Sequence, residues 1–126
     1  MTKKKVTYTK EMKQQISNND VQIGDVPEHQ FGQWVRITST NYSDPDFGSS
    51  ENLDYGQNDH IEGNGSHRGY SDNNLKNGDK THVKWDGTHK TIVKEGGIWE
   101  VNYEGNFTYT GGTGTFKNIK GGGVYK

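Results

Sequence analysis

There is no cysteine in this chain of 126 residues. That excludes disulfide staples, thiolate metal sites and a cysteine nucleophile, and it fits a reducing compartment. Proline is nearly missing, at 2 residues. Hydrophobic residues are scarce, at 26%, with a mean hydropathy of -1.14, and no run approaches the length that spans a bilayer. The opening Met1 to Tyr8 is charged but lacks the apolar stretch of a signal peptide, which points to a cytoplasmic protein. Charge of one sign is lacking too: 15 basic against 16 acidic residues leave a net charge of -1. No field therefore steers the chain toward nucleic acid or an anionic membrane, and neither is expected as a partner. The run Lys3–Lys4–Lys5 reads as a solvated tail.

So few apolar residues would suit a disordered chain. The aromatics argue otherwise. The 3 Trp, 7 Tyr and 4 Phe each bury a large area, and they recur inside short alternating segments. A thin aromatic core of modest stability is the expectation, in a single domain over 1–126 with 1–20 as a polar arm or first strand.

What is plentiful is glycine, at 18 residues. Gly clusters between alternating runs mark strands joined by tight turns, and no segment carries a helical apolar stripe. Strands are predicted over Phe31–Thr40, Glu51–Glu62, Ser66–Ser71, Lys80–Asp86, Thr88–Lys94 and Ile98–Glu104, the last continuing over Asn106–Thr110 past a Gly105 bulge. Asn41–Ser50 reads as a loop, and Gly63-Asn64-Gly65 as a turn. Closely spaced strands of this kind indicate an all-β sandwich or barrel.

The segment Gly111-Gly112-Thr113-Gly114-Thr115-Phe116-Lys117-Asn118-Ile119-Lys120-Gly121 resembles the glycine-rich C-terminal motif of the allene oxide cyclase-like and dirigent-like barrels. Gly24-Asp25-Val26-Pro27 with His29, and Gly65-Ser66-His67-Arg68-Gly69-Tyr70-Ser71, look like the small bacterial members of that group. The resemblance covers most of the chain from Gly24 onward. It implies a single antiparallel calycin-type β-barrel of about eight strands with a central cavity, and no metal or organic cofactor. Relatives of that kind guide cyclisation or coupling of apolar substrates. None of their substrate residues maps onto this chain. Read from its residues alone, the glycine-rich ending is structural: a tight reversal, with Phe116 and Ile119 plugging one end of the barrel through a short helical turn. It lacks the Lys-Ser/Thr ending of a phosphate loop.

Candidate chemistry falls into three groups. His60-Ile61-Glu62 places two potential metal ligands on one strand face, which His67 would join across a hairpin; ordinary polar positions on the outer face are the preferred reading, and no metal is expected. A carboxylate in an aromatic lumen would have a raised pKa and exchange protons. Glu100, with Arg68 and Tyr70 to hold a developing oxyanion, is the catalytic candidate set. The stripe Trp34, Tyr55, Trp85, Trp99 and Tyr103 is either plain core or the lining of a ligand lumen. The catalytic set and the aromatic stripe lie on opposite parities of some strands, so they cannot all face one way. No Gly-x-Ser-x-Gly elbow is present.

Three functions follow. The first is a barrel that binds a small apolar or ring-containing molecule in an aromatic-lined lumen without a cofactor. The second is a cofactor-independent cyclase or isomerase working by positioning and aimed dipoles. The third is a non-catalytic interaction protein that assembles as a homo-oligomer.

Overall fold

Alternating residues punctuated by Gly, Asn and Asp become long antiparallel strands in the computed structural model, which describes residues 5–126. They are β1 (Tyr8–Gln22), β2 (His29–Tyr42), β3 (Ser49–Ile61), β4 (Asn64–Leu75), β5 (Lys80–Lys94), β6 (Ile98–Gly112) and β7 (Gly122–Tyr125). Helix is confined to two short 3-10 turns, Glu95–Gly97 and Gly114–Phe116. The seven strands form one sheet in sequence order. Among the described residues no helix is long and apolar enough to cross a membrane.

The β3–β4 reversal shows how local sequence sets register. Glu62 and Gly63 both have positive φ, at 53° and 77°, the conformation of a two-residue turn whose twist matches the strands it joins. The turn therefore sits one residue earlier than Gly63-Asn64-Gly65, and β4 starts at Asn64. The sequence places Gly87 between two strands and Gly105 at a bulge. Instead they face each other inside continuous β5 and β6. The bare backbone at this pair makes room for the Tyr125 hydroxyl, which lies where a Cβ would stand on either glycine.

The sheet is rolled. Trp34 on β2 and Trp85 on β5 stack with ring centroids 5.6 Å apart and an interplanar angle of 18°. On a flat sheet, strands three apart would lie roughly 14 Å from each other. Tyr8 on β1 meets Phe107 on β6 edge-on at 5.7 Å, and its hydroxyl donates to the Val124 carbonyl of β7 at 3.4 Å. The expected closed barrel of about eight strands is not what forms. The described sheet has seven strands, and its order does not return from β7 to β1. β7 is only four residues long, too short to carry a ladder along the fifteen residues of β1.

The concave side is more polar than an aromatic core would be. Trp34, Leu75, Val83 and Phe116 are the buried hydrophobics. Around them Thr38, Thr40, Ser50, Asn52, Asp54, Ser71, Asn73 and Thr81 are buried. Burying polar groups is tolerable only when they are hydrogen-bonded, and most are. Asn52 Nδ2 donates to Thr40 Oγ1 at 2.8 Å and to Thr38 Oγ1 at 3.2 Å, and Ser50 Oγ donates to Asn52 Oδ1 at 2.6 Å. Thr38 Oγ1 donates to Asp54 Oδ2 at 2.8 Å, and the Lys10 ammonium lies 2.9 Å from the same oxygen. The Arg36 guanidinium sits 4.1 Å over the Trp34 ring, a cation–π contact strengthened by burial. At one end of the roll Phe116 packs on Phe47 at 4.7 Å, from the 3-10 turn that the glycine-rich segment makes; Ile119 is half-buried beside it.

A histidine chain as candidate functional site

The opposite end of the roll, where the β1–β2, β3–β4 and β5–β6 connections lie, holds three histidines on the concave face. His60 comes from β3, His67 from β4 and His89 from β5. The register explains their meeting: His60 pairs with Gly65, and Gly65 with His89. Gly65 stands between the two histidines without a side chain, and a Cβ there would meet the Asp59 carbonyl and the His60 Cα and Cβ. His67 and His89 are buried, with Tyr103 packed on both at 5.6 and 5.5 Å and Trp85 against His67 at 5.9 Å.

The rings are linked end to end. Tyr125 Oη lies 2.6 Å from His67 Nε2. His67 Nδ1 is 3.2 Å from His89 Nδ1, and His89 Nε2 is 3.2 Å from His60 Nδ1. His60 Nε2 reaches Gln30 Oε1 at 3.4 Å. A neutral imidazole has one donor and one acceptor nitrogen, so one set of tautomers satisfies every link. Tyr125 donates to His67, His67 to His89, His89 to His60, and His60 to the Gln30 carbonyl oxygen. The set needs no charge. Burial, and then the neighbouring histidine, pushes the pKa of His67 and of His89 down. Burial, and then the Asp86 charge, raises that of Tyr125. His67 and His89 are therefore neutral near pH 7, and the Tyr125 phenol is protonated.

This wiring does not converge on a cation. His89 spends its two nitrogens on two different histidines, and among the described residues no group of three or more His, Asp or Glu is arranged to hold a metal. Glu62, the carboxylate of the expected ligand pattern, is exposed in the β3–β4 turn.

The His60–Gln30 end opens into a hollow of about 450 Å³ lined by Gln30, His60, Glu62, Thr91, Val93 and Trp99 among others. One wall is the β5–β6 ribbon, which outruns β4 because that strand's pairing stops at His89.

The residues singled out from sequence are dispersed. Trp34 and Trp85 are inside, stacked on each other. Trp99 lines the hollow, and Tyr103 lies against the histidine chain. Tyr55 is 39% exposed on the other face, opposite Tyr70 across the β3–β4 ladder. Arg68 and Tyr70 alternate with the inward His67 and Gly69, so they point outward; Tyr70 is 62% exposed, and Arg68 Nε donates to Gln57 Oε1 at 3.0 Å. Glu100 also faces away from the hollow. Its carboxylate accepts from Lys94 Nζ at 2.9 Å, and that bond, with one from Asn102, holds its pKa below the usual range. A lowered pKa is the reverse of what a buried proton donor requires, and strand alternation turns Glu100, Arg68 and Tyr70 away from Trp34, Trp85, Trp99 and Tyr103. His89, Tyr125 and Gln30 were the residues missed. The available signal was parity: His89 lies four residues after Trp85 and shares its strand face.

Two depressed histidine pKa values make a pH-dependent prediction. The unfolded state binds more protons below pH ~6.5, so stability from His67 and His89 is complete above that value and lost as pH falls. The slope is at most about 1.4 kcal/mol per pH unit for each group. His29 has the opposite sign. Bonds from its ring nitrogens to Asp25 and Asp59, each at 2.6 Å, raise its pKa, and its contribution is present at low pH and fades as pH rises. Urea denaturation of a His29→Gln variant between pH 8 and pH 5 should therefore show stability falling on the acid side. A flat profile there would mean that the two rings are not held neutral.

No family model matches the chain, and no curated protein or solved structure is significantly similar to it.

Proposed function

We propose that the chain binds a small ring-containing molecule in the hollow beside His60 and Trp99 and exchanges a proton with it, as a cofactor-independent isomerase or cyclase would. The observation that carries this reading is the hydrogen-bonded run from Tyr125 through His67 and His89 to His60, which ends in the hollow. Trp99, 67% exposed, offers an aromatic face for stacking. Glu28 and Glu62 at the rim favour a neutral or cationic ligand over an anion.

The run has two orientations, and passing between them moves one proton. In the orientation set out above, His60 presents an N–H to the hollow. In the reverse one, His60 presents a lone pair, His67 donates to the Tyr125 oxygen, and the Tyr125 hydroxyl points away. A proton taken from a ligand at His60 Nε2 shifts each imidazole proton one link along, and the Tyr125 proton leaves to solvent. Donation runs the same steps backward. Neutral imidazoles are suited to both directions near pH 7. The rolled sheet is, on this reading, a calycin-like barrel left open at the β1–β7 seam, supported by the Tyr8–Val124 bond and by the glycine-rich plug at Phe116. A soluble, cytoplasmic setting and independence of metals belong to the same proposal.

Native mass spectrometry of freshly purified, undialysed protein tests the binding step. A molecule that is lost on denaturation and absent from a Trp99→Ala preparation is the expected result. Trp99 is exposed, so that substitution leaves the Trp34–Trp85 stack intact. An unliganded wild-type spectrum, together with no change in Trp99 emission across a set of small aromatic carbonyl compounds, would remove the reading.

A further inference from the structure

The outer edge of β6 has a free stretch. β7 pairs with β6 only from Gly105 to Thr108, so among the described residues no strand covers the edge from Ile98 to Glu104. This segment reads Ile98-Trp99-Glu100-Val101-Asn102-Tyr103-Glu104. It is rich in β-branched and aromatic residues, and Ile98, Trp99, Val101 and Tyr103 are 62%, 67%, 42% and 45% exposed. Edge strands are ordinarily guarded by lysine, proline or a bulge. β1, the other free edge, has two register shifts, between Met12 and Gln14 and between Gln15 and Ser17, and carries Lys10 and Lys13. The free part of β6 has no such guard, and its pairing with β5 is regular throughout.

We propose that this edge pairs with the same edge of a second copy, antiparallel about Val101, to form a two-fold dimer. Three observations select that occupant and that register. The Tyr109 N–H bonds to the Gly121 carbonyl on the β7 side, so by backbone alternation Trp99, Val101 and Tyr103 turn their N–H and C=O groups to the free edge. Pairing about Val101 uses all three. Val101 is also the midpoint of the uncovered seven-residue stretch, so both ends are used before β7 or the Gly96-Gly97 turn intervenes.

Charge gives the third argument. Centred on Val101, Trp99 stands opposite Tyr103 of the second copy, Glu100 opposite Asn102, and Ile98 opposite Glu104. No carboxylate faces another. Centring on Glu100 would set Glu100 against itself, and centring on Asn102 would set Glu100 against Glu104, both unfavourable. A single seven-residue strand pair is a small interface, so the dimer is weak and depends on concentration.

Sedimentation equilibrium up to millimolar protein tests this with three variants. Val101→Pro removes an N–H that faces solvent in the monomer, a placement that edge strands tolerate; it should weaken association at least about a hundredfold, with an unchanged near-ultraviolet circular dichroism spectrum as evidence of folding. Asn102 is exposed on the face away from the hollow, so two further variants keep the test open should Val101→Pro unfold. Asn102→Lys meets Glu100 of the other copy twice by symmetry and should tighten the dimer about tenfold. Asn102→Glu should loosen it by a similar factor. A wild-type protein that stays monomeric would overturn the proposal, as would an oligomer indifferent to the Asn102 variants or open-ended polymers.

Discussion

Replacing Gly69 by alanine is expected to destabilise the protein by about 3 kcal/mol. Gly69 lies on the concave face of β4, and a Cβ built there collides with the Tyr55 backbone carbonyl and with the six-membered ring of Trp85. The carbonyl belongs to the neighbouring strand and cannot move without breaking the β3–β4 ladder. The indole cannot retreat either, because it is stacked on Trp34 and its Nε1 donates to Ser71 Oγ at 3.0 Å. Trp34 is in turn backed by Gly56, where a Cβ would enter its ring. The stack is thus clamped between two bare backbone positions, and one methyl group disturbs both rings. For a domain of this size the loss corresponds to a drop in Tm of roughly 10–15 °C. Gly24→Ala serves as control, since no atom lies within 4 Å of its added Cβ, and it should leave Tm unchanged. If Gly69→Ala melted within a few degrees of wild type, the rolled arrangement of β2 against β5 would be wrong.

Lys10→Met should cost a similar amount, about 3 kcal/mol, for an electrostatic reason. Asp54 is 3% exposed. Its Oδ2 receives the Thr38 hydroxyl and the Lys10 ammonium, while its Oδ1 is buried with no hydrogen-bond partner in the protein. Removing the ammonium leaves a buried carboxylate with a single neutral donor. Methionine keeps the aliphatic stem, so the loss reports charge and not packing. The compensating change is Asp54→Asn: Lys10→Met with Asp54→Asn should recover most of the stability, and a double-mutant cycle by urea denaturation measures the coupling. A cycle with no coupling would mean that the ammonium is held in water and that Asp54 is satisfied some other way. The Lys10 side chain is 34% exposed, which places the expected cost at the low end of the range for buried pairs.

These two sites mark what could be read from the sequence and what could not. The all-β character was legible because Gly-bounded alternation leaves no helical stripe. The strand over Ile98–Glu104 was legible because Trp99, Val101 and Tyr103 share a parity. The plug at Phe116 was legible because three glycines precede a lone phenylalanine. Strand lengths were not: Gly87 reads as a break and Gly105 as a bulge, and only the arrival of Tyr125 makes a glycine pair useful inside a ladder. The lining was misjudged for a related reason. Aromatic content suggests an apolar lumen, yet polar residues such as Thr38, Asn52, Asp54 and Asn73 are buried beside Trp34, Leu75, Val83 and Phe116. Composition does not reveal which polar residues will find one another across neighbouring strands. The histidine chain depends on three strands being in register at Gly65, a relation between segments that no single stretch of sequence contains.

The strand order has a consequence for how the chain reaches this state. Every ladder joins strands that are neighbours in sequence, from β1 with β2 to β6 with β7, and the loops between most of them are short. Loop-closure entropy is therefore paid in small steps, and hairpins can zip one after another from any of the turns. What remains is the curl. The Trp34–Trp85 stack spans fifty-one residues of chain and the Tyr8–Val124 bond spans 116, so both wait on ladders already formed. The Trp34–Trp85 stack and the Tyr8–Val124 bond are thus the long-range steps whose loop-closure cost the local ladders must offset.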